Sequence, residues 1–201
     1  MVTKLGMIKK SNLNLFSNPR SSGIIAMNLR EDDDLIFAGL TEGDDNILIA
    51  TENGKSITFS EKQARSMGRN TMGVIGIKLD SRDRVVAAEV LRSDASIFTI
   101  TQNGIGKRTA VSNYRVQSRA GKGIINIKTT FKSGKVVDVK QVTDDDEIMI
   151  ISRNGIMIRV RMNEFRLIGR NTQGVNVMNV KEGDQIVSIE KVFSEDEVEE
   201  E

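Results

Sequence analysis

The segment IFTITQNGIGKRT, Ile97 to Thr109, sets Asn103-Gly104 between two runs rich in β-branched residues. Asn-Gly between two β-type runs is a strong hairpin signal, so the segment reads as a β-hairpin. The pair recurs at Asn53-Gly54 and Asn154-Gly155, and Gly6 extends the series toward the start of the chain. Successive turn glycines are 48, 50 and 51 residues apart. A second glycine follows at a fixed offset: Gly73, Gly123 and Gly174 stand 19 residues on, and Gly23 stands 17 on. Four repeats of about 50 residues therefore fill the chain, with approximate limits 1–50, 51–100, 101–151 and 152–193.

The repetition extends to side chains. MGRNTMGV at Met67–Val74 returns as IGRNTQGV at Ile168–Val175, and QSRAGKGI stands at the same phase between them. Each repeat reads as four short strands. The Asn-Gly hairpin comes first, then a polar loop of about ten residues, a strand such as GIINIKTT, a turn, and a strand such as KVVDVKQV. An acidic turn then leads into the next hairpin, and only short pieces such as SEKQAR read as helical. Four-stranded units at this period predict an all-β fold of blades around an axis, as in propellers. The leading MVTK matches the last strand of a repeat, which brings the expected total to sixteen strands. Two arrangements fit: a ring in which Met1–Lys4 completes the last blade, or an open arc.

Composition narrows the chemistry. There is no Cys and no His among the 201 residues, which removes disulfides, the usual zinc sites and any Ser-His or Cys-His nucleophile. No apolar run approaches the ~18 residues of a membrane span and no signal peptide is visible, so a soluble, cytoplasmic protein is expected. The net charge of +1 is uninformative until it is resolved along the chain.

Resolved by phase, the charge separates. The leading parts of the repeats, 6–29, 54–79, 104–128 and 155–180, hold 18 of the 29 cations and only two acids, Glu61 and Glu164. In a radial array one phase means one face or rim, so the blades are expected to carry a periodic cationic track. Lys10, Arg108 and Arg159 stand four residues after the turn glycine, with Thr58 in the second repeat; Lys9 and Lys107 stand three after it. Arg65, Arg115 and Arg166 stand eleven after it. Arg69, Arg119 and Arg170 stand fifteen after it, with Arg20 nearest in the shortened first loop and Lys122 following Arg119. Gly68, Gly121 and Gly169 beside them let backbone amides approach a phosphate. Such a track fits an extended polyanion, with duplex DNA or RNA first.

Other features are bland. Phe16, Tyr114 and Phe165 share one repeat position with Ala64 and read as blade-packing residues rather than base-stacking platforms. The acid runs TDDD and REDDD read as solvated turns rather than metal sites. The last seven residues, EDEVEEE, carry six acids. Removing them leaves 22 acids against 29 cations, a net of +7. Residues 194–201 are expected to be a disordered acidic tail, either solubilising or competing with the anionic ligand for the track.

The stretches GKRTAVSNYRVQSRAGKGIINIK, MGRNTMGVIGIKL, IGRNTQGVNVMNV and NPRSSGIIAMNL resemble the C-terminal domain of the bacterial DNA gyrase A subunit, in order, from about Thr3 to Val192. The resemblance implies a β-pinwheel, a propeller-like ring of usually six blades that wraps DNA on a basic rim, of which this chain matches the last four. It implies a cytoplasmic, nucleoid-associated bacterial protein. The partners it implies are the remainder of the gyrase A subunit, plus the gyrase B subunit. ATP and magnesium would then serve the holoenzyme, with no cofactor and no catalytic residue in this part. The family's box, Gln-Arg-Arg-Gly-Gly-Lys-Gly, belongs to the first blade and is absent. QSRAGKG keeps Gln117, Arg119, Gly121, Lys122 and Gly123 but has Ser118 and Ala120, and looks like its degenerate counterpart. The sole tyrosine, Tyr114, is replaced in every other repeat, and no GxxxxGK[ST] loop is present, so neither DNA cleavage nor ATP binding is expected here. The related domain of topoisomerase IV and a protein-interaction propeller are the alternatives.

Overall fold

A computed structural model describes residues 1–192; the tail, 194–201, lies outside the described residues. The described chain is all-β, interrupted only by short 3-10 turns at Leu13–Phe16, Glu61–Gln63, Val111–Asn113 and Met162–Glu164. Its strands are β1 (Val2–Thr3), β2 (Met7–Ile8), β3 (Leu35–Phe37), β4 (Asn46–Thr51), β5 (Lys55–Ser60), β6 (Val74–Ile75), β7 (Val85–Leu91) and β8 (Ser96–Thr101). They continue as β9 (Ile105–Ala110), β10 (Ile124–Ile125), β11 (Val136–Val142), β12 (Glu147–Ser152), β13 (Met157–Arg161), β14 (Val175–Asn176) and β15 (Ile186–Val192).

Each Asn-Gly pair closes a hairpin as its sequence dictates: β4 pairs β5, β8 pairs β9 and β12 pairs β13, all antiparallel. The glycines sit at φ of +85° (Gly54), +78° (Gly104) and +82° (Gly155), values a side chain with a Cβ resists. The outer partners are less obvious. The sheets run β3-β1-β2-β6, β7-β4-β5-β10, β11-β8-β9-β14 and β15-β12-β13. The strand after the second glycine of each repeat therefore belongs to the blade before it: β6 to the first, β10 to the second, β14 to the third.

This exchange explains why fifteen strands form and not sixteen. Residues 24–29 of the first repeat, expected as a strand, have no preceding hairpin among the described residues to join and are irregular. Met1–Lys4 does not complete the last blade; β1 lies in the first sheet, with Val2 opposite Phe37 and Ile8. Among the described residues no strand of the fourth sheet pairs with the first.

The last strands of the repeats, β3, β7, β11 and β15, lie side by side along the inner line of the array. Apolar clusters fill the spaces between blades: Ile8, Ile49, Ile57, Phe59 and Ile77 between the first two, and Leu48, Ala50, Ile97 and Tyr114 between the second and third. Phe98, Ile148, Ile150, Met162 and Ile189 fill the last junction, where Phe165 packs on Phe98 with ring centroids 5.5 Å apart. The expected packing role of the shared aromatic position is what these clusters show for Tyr114 and Phe165; Phe16 is half-buried and belongs to none of them. At the first junction Ala64 takes that place.

Candidate nucleic-acid interface

The loop between the hairpin and the exchanged strand carries the cations, and the fold fixes its course. In three repeats it lies along the outer hairpin strand of the blade before. Met67 N–H donates to Lys10 O (2.8 Å), Gln117 N–H to Thr58 O (2.7 Å) and Ile168 N–H to Arg108 O (2.9 Å). It ends at the second glycine, with φ of +81° at Gly73, +72° at Gly123 and +92° at Gly174. A Cβ there would collide with the carbonyl of Ile8, Ser56 or Gly106 respectively. These contacts press the loops onto the outermost strands, so their side chains face outward from the array.

Arg65, Arg115 and Arg166 are exposed, and among the described residues their side chains have no hydrogen-bonding or ionic partner. Arg20 is likewise exposed and unpartnered. Of the cations expected on the track, these four are exposed with no internal partner.

Arg119 and Arg170 do different work. The Arg119 guanidinium donates to Gln63 O (3.1 Å) and to Ile75 O. One repeat on, Arg170 donates to Asn113 O (2.7 Å) and Ile125 O (2.5 Å). Gln63 and Asn113, and Ile75 and Ile125, are repeat equivalents, so each arginine ties its loop to the preceding repeat while staying half-exposed. Arg69, at the same phase, has no such tie; its carbonyl accepts from Lys9. In the box-like loop, Lys122 is exposed and stands 3.5 Å from Asp80. Gly121 lies against Ile57, and Ala120 takes a φ of +63°. Gln117 is half-buried, and its side-chain nitrogen has no partner in the protein.

Five of the expected contacts are engaged inside the protein, three of them buried. Lys9 and Lys107 are each only 1 % exposed. Lys9 Nζ donates to Ala26 O (2.7 Å) and Arg69 O, and Lys107 Nζ donates to Gly169 O (2.8 Å), Arg170 O and Thr172 Oγ1 (3.3 Å). Both lysines hold the loop of the following repeat from beneath. Burial, with Arg170 adding repulsion, brings the Lys107 ammonium down to about 7, and burial with Arg69 lowers Lys9. Arg108 is 5 % exposed and donates to Ser96 Oγ (2.6 Å) and Met162 O (2.9 Å), with Asp144 at 2.5 Å. Lys10 pairs with Glu61 at 3.1 Å, and Arg159 pairs with Glu147. The Glu61 carboxyl is buried, which by itself would raise it, yet hydrogen bonds from Thr41, Asp45, Lys10 and Gly43 hold it below the usual range.

Most acids of the two runs are exposed, as expected of solvated turns, but two are not. Asp33 and Asp146 are buried turn clamps, accepting from Leu5 N (2.8 Å) and Thr143 N (2.7 Å), and Asp144 faces Arg108. Sequence reasoning passed over Lys78 and Lys128, which stand at one phase, 24 residues after their turn glycines. Both are exposed, and their backbone N–H groups donate to Gly121 O and Thr172 O, each at 2.9 Å. That places them beside the arginine loops of the next repeat. The shared phase was the signal that would have found them.

The model of the DNA gyrase C-terminal domain, a β-propeller family, matches residues 1–42, 45–92, 95–143 and 146–192. The DNA gyrase A subunit of Buchnera aphidicola (subsp. Acyrthosiphon pisum) is 56 % identical over 192 residues, covering 96 % of this chain and 23 % of that protein. The DNA gyrase A subunit of Halalkalibacterium halodurans is 52 % identical over 196 residues, covering 98 % of this chain and 24 % of that protein. The chain thus spans about a quarter of the length of these curated relatives. Among solved structures, a DNA gyrase A C-terminal domain superposes with a TM-score of 0.85 at 26 % identity, covering 96 % of this chain and 64 % of that one. The C-terminal domain of DNA topoisomerase IV superposes with a TM-score of 0.89 at 25 % identity, covering 95 % and 60 %.

Proposed function

The chain belongs to the DNA gyrase C-terminal domain family, and on that footing we propose that it binds duplex DNA along its outer rim and bends it. One observation carries the reading. Arg65, Arg115 and Arg166 recur at one phase on successive blades, exposed and without internal partners, on loops held rigidly against the outermost strands. Cations spaced by a radial repeat meet phosphates along a curved path and read no base edge, so binding is sequence-tolerant and follows DNA shape.

In this reading the module is non-catalytic and needs no cofactor. It works in the bacterial cytoplasm within gyrase, which joins the rest of the A subunit to the B subunit. There ATP and magnesium serve the other parts to introduce negative supercoils. Because the seven-residue box is missing from these four repeats, the chain alone bends DNA without completing a wrap. The topoisomerase IV alternative has the solved-structure likeness in its favour, but relatives at 56 % and 52 % identity are gyrase A subunits.

The test is a duplex mobility shift combined with ligation of short linear fragments into circles. Enhanced circle formation by the wild-type chain, lost when Arg65, Arg115 and Arg166 are all changed to Gln with the melting temperature unchanged, supports the proposal. Undiminished binding by the triple variant would overturn it.

A further inference from the structure

The third repeat is charged unlike the others. From 95 to 137 there is no acid, against eight cations. The difference is sharpest in the turn that leads from the exchanged strand to the inner strand. Equivalent turns carry two to four acids, Asp33, Asp83 and Asp184 among them, whereas residues 130–134 carry none. Those three aspartates are structural. Leu5 N–H donates to Asp33 (2.8 Å), Asn53 N–H to Asp83 (3.0 Å) and Asn154 N–H to Asp184 (3.1 Å). In the third repeat Asn103 N–H donates to the Ser133 carbonyl instead (3.0 Å). The turn is also one residue longer, with eight steps from Lys128 to Val136 against seven from Lys78 to Val85. The clamp is kept while its negative charge is gone.

The tip of this turn is Phe131. Its side chain stands wholly in solvent at 104 %, and the next most exposed large apolar residue among those described, Leu40, is at 75 %. The backbone beneath it is fixed. Thr130 N–H donates to Ser133 Oγ (2.9 Å), Gly134 N–H to Thr130 O (2.9 Å) and Asn103 Nδ2 to Lys132 O (3.0 Å). Exposed cations flank the ring. Lys132 follows it, and Lys128, three residues earlier, is bonded through its backbone to Thr172 in the arginine loop of the fourth repeat. Among the described residues neither ammonium has a partner. The ring's neighbours in the turn are Thr130, Lys132 and Ser133, so it lacks the apolar surround that excludes water from a protein-docking anchor.

We infer that Phe131 is a wedge that inserts between base pairs of duplex DNA on the rim, with Lys128 and Lys132 on the flanking phosphates. The inference rests on the DNA-binding reading above and adds to it one contact of a different kind. An apolar side chain pushed between base steps from the minor groove unstacks them and kinks the duplex. A fixed turn suits the task, because the ring is presented without an ordering cost at the moment of binding. The turn adjoins the Asn103-Gly104 hairpin, at one end of its sheet, so the ring stands at a margin of the rim and not under its middle. A kink there deflects the DNA path sideways, out of the plane of its curve. Pyrimidine–purine steps unstack most cheaply, so the wedge sets where on a sequence-tolerant track the duplex comes to rest.

The chain has no tryptophan, so Phe131→Trp places a single one at the tip, and Ser81→Trp places one on the equivalent turn of the second repeat. On addition of a duplex containing TA steps, the Phe131→Trp emission is expected to be largely lost and shielded from acrylamide. The Ser81→Trp emission is expected to hold. Permanganate, which attacks unstacked thymines, should mark TA steps in the wild-type complex. Phe131→Leu keeps those marks and Phe131→Ser loses them, with the melting temperature unchanged in both. A mobility shift on the same samples separates two failures. A wild-type chain that does not bind the duplex overturns the DNA-binding reading and the wedge with it. Intact binding with unchanged Phe131→Trp emission, or with permanganate marks that are absent from the wild type or persist in Phe131→Ser, overturns the wedge alone.

Discussion

Arg119 and Gln63 grip each other in both directions across a blade junction. The Arg119 backbone N–H donates to Gln63 Oε1 at 2.7 Å, and the Arg119 guanidinium donates back to Gln63 O at 3.1 Å. With Ile75 O as a further acceptor, an arginine that reads in sequence as a phosphate contact is first a strut between repeats.

Stability and DNA affinity should therefore separate by phase. Arg119→Gln and Arg170→Gln leave carbonyls without their charged donors, at about 1–2 kcal/mol each. In a chain of this size that lowers the melting temperature by roughly 2–8 °C. Arg166→Gln, with no internal partner, should leave the melting temperature alone and weaken DNA binding. Calorimetry beside mobility shifts checks both, and equal melting losses at the two phases would contradict the assignment.

Salt dependence measures the track. If about six to eight phosphates are neutralised, log K falls with log salt at a slope of roughly −5 to −7. Changing Arg65, Arg115 and Arg166 together to Gln should flatten the slope by about three, alike for unrelated duplex sequences. A slope near zero in the wild type would mean that the rim does not engage phosphates.

Acidity near neutrality should register at the inner line of the array. Burial raises the Glu89 carboxyl to about 7 against the pull of Lys140, and burial raises Asp138 to about 6. Lys140 itself stays protonated; burial opposes its charge, but Asp138 and Glu190 outweigh it. A carboxyl whose folded pKa exceeds its unfolded value of 4.5 adds stability that is complete below that value and lost as pH rises through about 7. The Glu89→Gln variant lacks this term. Between pH 5 and 8 its melting temperature should gain on the wild type by about 5 °C. A constant difference across that range would count against burial as the cause.

Two glycines of the same class should respond unequally. Gly23→Ala meets only the strain of a positive φ, about 1–2 kcal/mol. Gly123→Ala meets that strain and also drives its Cβ into Ser56 O, so its loss should exceed that of Gly23→Ala by about 1 kcal/mol or more. Urea titration of both variants gives the comparison, and equal midpoints would show that the junction yields.

The blade period, the hairpins and the all-β character were legible because glycine marks a backbone conformation that the sequence cannot disguise. Strand exchange was not, because β6, β10 and β14 are two residues long and bond to strands of the preceding repeat. The buried lysines were misread because a cation carries its charge wherever it sits. Their phase held the clue: Lys9 and Lys107 alternate with Ile57 and Ile158, and a position that accepts isoleucine in half the repeats is an interior one. Arg65, Arg115 and Arg166 show no such alternation with apolar residues, since the first repeat has Ser17.

The exchange of strands also orders events on the ribosome. The hairpin Asn46–Ser60 can form as soon as it emerges, but its sheet gains its outer strand only when Ile124 and Ile125 have been made. Each repeat is thus a template left waiting for its successor, and the array assembles in one direction, one blade behind synthesis. A pause in translation between repeats would strand a single unfinished edge rather than a disordered chain.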